Sequence, residues 1–180
     1  MKTLVVYYSN SGSNKYLAGK IANSLKCDIE SIKPRFNFFP ALLLFSLVKA
    51  SPGIKSLGRK LNDYDRIILC GPIWMGRFVS PLRNFVNKYG SSIKQLYFVT
   101  CCASTDAAKD DKFGHGLVFR TLKGMVGDKC IGCIAFPIGL VLPQDKQKDN
   151  DAALKTRLSI SNFTGQIEMR FDNFIKGLGK

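Results

Sequence analysis

A regular alternation of short apolar runs with amphipathic helical patterns is the feature that most constrains the fold of this chain. The apolar runs have the length and composition of β-strands and cover residues 2–8, 27–32, 65–70, 95–102 and 130–138. Helical patterns lie at residues 15–25, after Pro81, at 113–126 and within 149–178. This alternation predicts an α/β fold in which helices cover both faces of a parallel sheet.

Five such strands fit a doubly wound sandwich with the strand order 2-1-3-4-5. At 180 residues, with no internal repeat and no linker-like segment, the chain predicts one domain that spans residues 1–180. Ligands of doubly wound sheets bind outside the carboxyl ends of the strands, beside strand one. This rule selects the loops after Tyr8, Gly71 and Thr100 before any motif is considered.

The chain is strongly basic, with a net charge of +14. No carboxylate occurs between Ser31 and Asn62, and none between Arg66 and Thr105. This balance indicates an anionic partner, which the charge alone leaves open among a nucleotide, an acidic protein, an anionic membrane surface and nucleic acid. The basic residues are spread along the chain without a helix-turn-helix, RNA-binding or zinc-finger signature, so no specific nucleic-acid binding is expected.

The apolar segments do not predict secretion or membrane insertion. The amino-terminal sequence lacks the long apolar region of a signal peptide, so we expect a cytoplasmic protein. The longest apolar stretch, residues 38–48, is too short to cross a bilayer and is interpreted first as a buried core helix. A lid over the binding site and a surface-docking element remain open for the wider segment of residues 33–63.

The cysteines and the single histidine do not predict a metal site. Cys130 and Cys133 have the C-x-x-C spacing, but they fall in a predicted strand, where we expect their side chains on opposite faces. A second ligand pair is absent, and His115 alone cannot supply one. His115 lies in a glycine-rich turn and is interpreted as structural or solvent-facing. Cys101 and Cys102 are interpreted as buried thiols because their strand is apolar.

A polar, glycine-containing loop follows the first strand and opens a helix. Backbone N–H groups, hydroxyl groups and the positive end of the helix dipole would all meet a phosphate there. The alternative is an ordinary helix cap and turn built from serine and asparagine. The residues of this loop are Ser9, Asn10, Ser11, Gly12, Ser13 and Asn14.

Three stretches together resemble the flavodoxin-like FMN-binding family, which includes flavodoxins and small FMN-dependent reductases. Ser9, Ser11 and Gly12 match the family's phosphate loop, with Asn14 standing where the family has a hydroxyl residue. The sequence from Gly71 to Arg77, followed by Pro81 to Val86, is similar to the loop that cradles the isoalloxazine ring. The sequence Thr100–Ser104 lies where the family contacts the pyrimidine side of the flavin.

The resemblance implies a flavodoxin-like doubly wound fold, FMN as the cofactor and three groups of cofactor-binding residues. The phosphate group comprises the six residues of the first loop. The ring loop supplies Pro72, Ile73, Trp74, Met75, Gly76 and Arg77. The pyrimidine edge is assigned to Thr100, Cys101, Cys102, Ala103 and Ser104. No catalytic acid or base is required, since the cofactor carries the redox chemistry.

The charge of the ring loop favours a reductase over a carrier. Arg77 lies in this loop with Arg83 close behind it, and a positive neighbour stabilises the reduced flavin, unless Arg77 simply faces solvent. We therefore expect transfer of electrons or hydride from NAD(P)H to a small acceptor. Two alternatives remain: an electron carrier that docks an acidic redox protein, and a basic binding module without flavin. The resemblance also makes a homodimer an option, and the charge leaves peripheral membrane contact open.

Overall fold

The structure, a computed structural model, describes residues 1–50, 52–147 and 149–179. Five parallel strands form its main sheet: β1 (Thr3–Tyr7), β2 (Asp28–Ser31), β3 (Arg66–Cys70), β6 (Gln95–Cys102) and β7 (Cys130–Pro137). Their order across the sheet is β2-β1-β3-β6-β7. This is the predicted order 2-1-3-4-5, so the doubly wound flavodoxin-like sandwich is confirmed.

Six α-helices lie in the described part of the chain: α1 (Ser13–Leu25), α2 (Phe39–Leu47), α3 (Ser80–Tyr89), α4 (His115–Val126), α5 (Asn150–Lys155) and α6 (Gln166–Leu178). Pro81 lies in the first turn of α3, where its fixed backbone angle suits a helix start. The sequence predicted one final helix within residues 149–178, whereas the structure has two, α5 and α6, separated by a segment in which Leu158 and Phe163 are buried.

The sheet separates two apolar cores because successive strand residues point to opposite faces. On one face, Leu4 and Val6 pack with α2, α3 and α4. On the other, Val5 packs with α1, α5 and α6. All five residues of β3 are buried, as its continuous apolar sequence predicted.

A short antiparallel hairpin between β3 and α3 was not predicted. It consists of β4 (Ile73–Trp74) and β5 (Arg77–Phe78), with Met75 and Gly76 in the turn at φ angles of 49° and 66°. A Cβ atom on Gly76 would lie 2.6 Å from the carbonyl oxygen of Lys112. Glycine is therefore required here, because the turn packs directly against the backbone that precedes α4.

The interpretation of residues 38–48 as a buried core helix is wrong for most of the segment. Helix α2 forms, but only Leu42 and Ser46 are buried on it. Ser46 ties α2 to α3, since its hydroxyl accepts a hydrogen bond of 2.8 Å from the backbone N–H of Ser80. The opposite side of α2 has no covering element within the described residues and remains exposed. None of the described helices is both long enough and apolar enough to cross a membrane.

The expectation that Cys130 and Cys133 point to opposite faces is also wrong. Leu96 pairs with Cys130 but Tyr97 pairs with Gly132, so Ile131 is an extra residue in β7. Such a bulge reverses the alternation and brings both thiols to one face, where their sulfur atoms are 3.6 Å apart. Within the described residues, no cluster of three or more histidine, cysteine or acidic side chains has the arrangement of a metal site.

Candidate functional site

A polar cavity of about 500 Å³ opens at the carboxyl ends of β1 and β2. Ser9, Asn10 and Gly12 of the first loop line it together with the ends of both strands. Three lysines from separate parts of the chain contribute to its wall: Lys15, Lys33 and Lys55. No carboxylate lies in this wall, so the cavity is electrostatically suited to an anion.

The backbone of the first loop, residues 9–14, is also suited to bind an anion. Gly12 has a φ of 100°, which favours glycine, and α1 begins directly after it without a side-chain cap. The Ser9 hydroxyl accepts a hydrogen bond of 3.1 Å from the Gly12 N–H. Because no described side chain caps α1, the first N–H groups of the helix stay available to an anion.

Ser13 and Asn14 face the interior rather than the cavity. The Asn14 side chain accepts from the Cys101 N–H at 2.8 Å and donates to the Cys101 carbonyl at 3.1 Å. The Ser13 hydroxyl accepts from the Leu158 N–H at 3.1 Å. Asn14 therefore joins the first loop to the end of β6, so its departure from the family's hydroxyl residue has a structural reason.

Replacing Asn14 by alanine is expected to lower the free energy of unfolding by about 2–4 kcal/mol. The substitution leaves both backbone groups of Cys101 buried without partners. Urea unfolding followed by circular dichroism measures the loss. Asn10→Ala is the matched control, since Asn10 is exposed in the same loop and its loss should change stability by less than about 0.5 kcal/mol. Equal effects of the two substitutions would contradict the structural role of Asn14.

A second, more apolar cavity of about 460 Å³ lies between the hairpin and the segment that follows β6. Ile73 and Met75 form one wall, and Phe113 contributes to the other. Cys102, Ala103 and Ser104 also line this cavity. Its apolar walls suit a flat aromatic ligand. Members of two of the three predicted groups of site residues thus border this cavity, while the loop after β1 borders the first cavity at the same edge of the sheet.

Trp74 connects the hairpin with the first cavity. Its ring lies edge-on to Tyr8, with ring centroids 6.1 Å apart, and edge-on to Phe39 at 5.1 Å. Tyr8 lines the first cavity, and its buried hydroxyl has no partner among the described residues. Burial raises the pKa of Tyr8 to about 12, so this hydroxyl stays protonated.

Of the remaining predicted residues, Thr100 and Cys101 are held inside the protein, whereas Ser11 is exposed. Thr100 is fully buried in β6, and Cys101 is buried with its backbone bound to Asn14. Burial raises the pKa of Cys102 to about 11 and also raises that of Cys101, which keeps both thiols protonated and unreactive. Pro72 is half-buried, whereas Arg77 is exposed on the hairpin. Arg83 donates to the Phe78 carbonyl at 3.0 Å, so it supports the hairpin.

His115 is buried beside the second cavity, contrary to a solvent-facing interpretation. Its Nδ1 atom is 2.9 Å from the hydroxyl of Ser104, which lines that cavity. On its other side, Nε2 is 3.9 Å from Asp106, which forms a salt bridge with Arg170. Local sequence patterns do not reveal this cluster, because its members are dispersed from position 104 to position 170.

Wild-type protein is expected to lose stability relative to a His115→Gln variant as the pH falls below about 6.5. Burial lowers the pKa of His115, and Asp106 opposes this only in part. The histidine of the unfolded chain therefore takes up its proton at a higher pH than the histidine of the folded protein. The stability that is present above pH 6.5 is lost as the pH falls from 6.5 to the lower pKa of the folded state. Urea unfolding of both proteins at pH 7.5 and 5.5 measures the difference. An unchanged difference between the two pH values would contradict it.

Comparison with known proteins supports the fold. Residues 46–125 match the family model of the flavodoxin domain. No curated protein matches the chain. A flavoprotein of Lactobacillus acidophilus NCFM, solved in complex with FMN, superposes with a TM-score of 0.60 at 20% identity over 74% of this chain and 92% of its own.

Two further solved structures have the same fold. A protein of Bacteroides eggerthii DSM 20697, provisionally described as a flavoprotein, gives a TM-score of 0.62 at 19% identity over 85% of this chain and 93% of its own. A protein of Klebsiella pneumoniae, provisionally described as a quinone reductase, gives 0.51 at 13% identity over 86% and 82%. These structures confirm the flavodoxin-like fold, and the family model supports the resemblance over residues 46–125.

Proposed function

We propose that this flavodoxin-like chain binds FMN and serves as an oxidoreductase that passes electrons or hydride from NAD(P)H to a small acceptor. One observation carries the proposal: a basic, N–H-rich cavity and an apolar slot lie at the same edge of the sheet. FMN combines a phosphate with a flat apolar ring, so its two ends need these two environments. The FMN bound to the Lactobacillus acidophilus flavoprotein supports the same assignment.

Residues of the first cavity would bind the phosphate of FMN, and residues of the second would bind its ring. Ser9 and the N–H groups at the start of α1 would hold the phosphate, with Lys15 close by to balance its charge. Ile73 and Met75 line the slot and would flank the ring, with Trp74 between them in the hairpin. Ser104 would offer a hydroxyl that lies 2.9 Å from His115 Nδ1. When bound, FMN supplies the electron and hydride transfer, which the side chains of this site cannot perform.

A carrier function is the second candidate, favoured by the exposed basic surface. An electron carrier would use this charge to dock an acidic redox protein. Steady oxidation of NAD(P)H with a small quinone or dye supports the reductase. Turnover that requires an added reductase protein supports the carrier.

Titration with FMN tests cofactor binding directly, since Trp74 is the only tryptophan in the chain. Its emission should fall as FMN enters the slot, and the FMN fluorescence should be quenched with the same stoichiometry of one. A matched titration with AMP, which has a phosphate but no isoalloxazine ring, should leave most of the emission unchanged. Absence of any response at high FMN would overturn the proposal and favour a basic binding module without flavin.

Replacing Arg77 by glutamine is expected to make the two-electron potential of the bound flavin more negative by roughly 10–20 mV. Arg77 is exposed on the hairpin, so water screens its charge and the shift is small. Equilibration with redox dyes measures the potential. Lys176→Gln removes an exposed charge from the end of α6, at the opposite edge of the sheet, and should leave the potential unchanged. Equal potentials for Arg77→Gln and wild type would show that Arg77 does not influence the flavin.

A further inference from the structure

The outer side of α2 carries an apolar surface that no described element covers. Leu44 is 56% exposed and Val48 is 61% exposed, one helical turn apart, with Leu47 beside them. The residues just before the helix extend the surface with aromatic rings, since Phe36 is 59% and Phe38 is 66% exposed. We call these five residues the α2 surface. Its contiguity distinguishes it from the scattered apolar residues that most protein surfaces carry.

The charge around the α2 surface has a single sign. Residues 31–62 contain six lysines and arginines and no carboxylate. Lys33, Arg35 and Lys49 are exposed close to the two ends of α2, and none of them forms an ion pair within the described residues. Long basic side chains of this kind can lay their stems along an apolar surface and extend their charges beyond it.

We propose that the α2 surface docks this protein on anionic lipid bilayers as a peripheral, in-plane helix. Peripheral helices bind at the boundary between headgroups and acyl chains through apolar and aromatic side chains flanked by lysine and arginine, which is the composition of this surface. The outer face of α2 offers no polar side chain to pair with the hydrogen-bonding groups of a protein partner. The hydrocarbon region of a bilayer needs none, because it has no hydrogen-bonding groups of its own.

Docking by this surface would also orient the candidate site. Phe39, the first residue of α2, contacts Trp74 of the hairpin. The surface therefore adjoins the ring loop, and the edge of the sheet with the two cavities would lie close to the bilayer. The docking itself does not depend on bound FMN, so it can be tested separately from the proposed function.

Sedimentation with vesicles tests the apolar half of the proposal. Protein with and without FMN is mixed with vesicles of phosphatidylcholine containing one-third phosphatidylglycerol, and with pure phosphatidylcholine. We expect binding to the anionic vesicles that weakens at least about tenfold in Leu44→Asn/Val48→Asn. Ile160→Asn/Met169→Asn, which changes two exposed apolar residues near or on α6, is the matched control and should bind like wild type. Equal losses in both variants would overturn the proposal.

A second pair of variants tests the charge without changing the apolar residues. Arg35→Gln/Lys49→Asn should weaken binding by about 25-fold, since each charge near an anionic surface contributes about fivefold. Asparagine suits position 49 because Lys49 has a φ of 58°. Lys155→Gln/Lys176→Gln removes the same charge from α5 and α6 and should have little effect.

Two results would overturn the membrane assignment. One is wild-type protein that does not sediment with anionic vesicles, or sediments equally with neutral ones. The other is a dimer in sedimentation velocity that Leu44→Asn/Val48→Asn converts to a monomer, which would assign the α2 surface to a second copy of the chain. Circular dichroism of each variant confirms that the fold is retained.

Discussion

Replacing Ser9 and Ser11 together by alanine should weaken FMN binding at least about 100-fold and leave riboflavin binding unchanged. The two hydroxyl groups belong to the loop that precedes α1, and Ser9 lines the basic cavity. A hydrogen bond to a charged phosphate is worth about 1.5–3 kcal/mol, so two of them account for a factor of this size. Riboflavin lacks the phosphate, so the loss of the two hydroxyl groups should not change its affinity. Fluorescence titration with each ligand measures the ratio of affinities.

The control for this pair lies at the opposite edge of the sheet. Ser91 and Ser92 precede β6, and replacing both by alanine should change neither affinity. Equal weakening of FMN and riboflavin by the Ser9/Ser11 substitutions would mean that the loop acts through folding rather than through the phosphate. An unchanged FMN affinity would contradict the assignment of this loop as the phosphate-binding site.

Replacing Trp74 by alanine should weaken FMN and riboflavin equally, by about 10- to 100-fold. Stacking of a flat heterocycle on an aromatic side chain contributes about 1–3 kcal/mol and does not involve the phosphate. Phenylalanine at this position keeps an aromatic face and should restore most of the affinity. Because the variants lack tryptophan emission, quenching of the flavin fluorescence is the measurement.

Trp74 also packs on Tyr8 and Phe39, so a loss of affinity could come from a disordered hairpin. Urea unfolding without ligand separates the two causes, since a stacking role predicts a larger effect on binding than on stability. If both ligands bind Trp74→Ala as tightly as wild type, the tryptophan does not contact the ring, and Met75 becomes the residue to test.

The strand order was predictable because it depends on patterns that are local in sequence. Each strand is a short apolar run, and Pro81 marks the start of α3 where the structure has it. The alternation of strands and helices then leaves few topologies. The polar turn that opens α1 was predictable for a similar reason, since Gly12 and its serines are contiguous and directly follow β1.

The features that the sequence did not predict depend on contacts between distant segments. Asn14 could be recognised as a polar residue of the loop, but its partner Cys101 lies 87 positions away. The bulge at Ile131 depends on how β7 pairs with β6, so the residue type at position 131 does not predict it. The exposure of α2 has the same origin. A run of apolar residues predicts burial, but a helix face is buried only where another element of the fold packs against it.

The close approach of Gly76 to Lys112 and Phe113 has a consequence for the width of the apolar slot. Those residues belong to opposite walls of the slot, so the walls are in backbone contact at the hairpin turn. At that point the two walls cannot move closer together, because backbone atoms of both already touch. The turn therefore acts as a spacer that holds the slot open at one end, whether or not a planar ligand is bound.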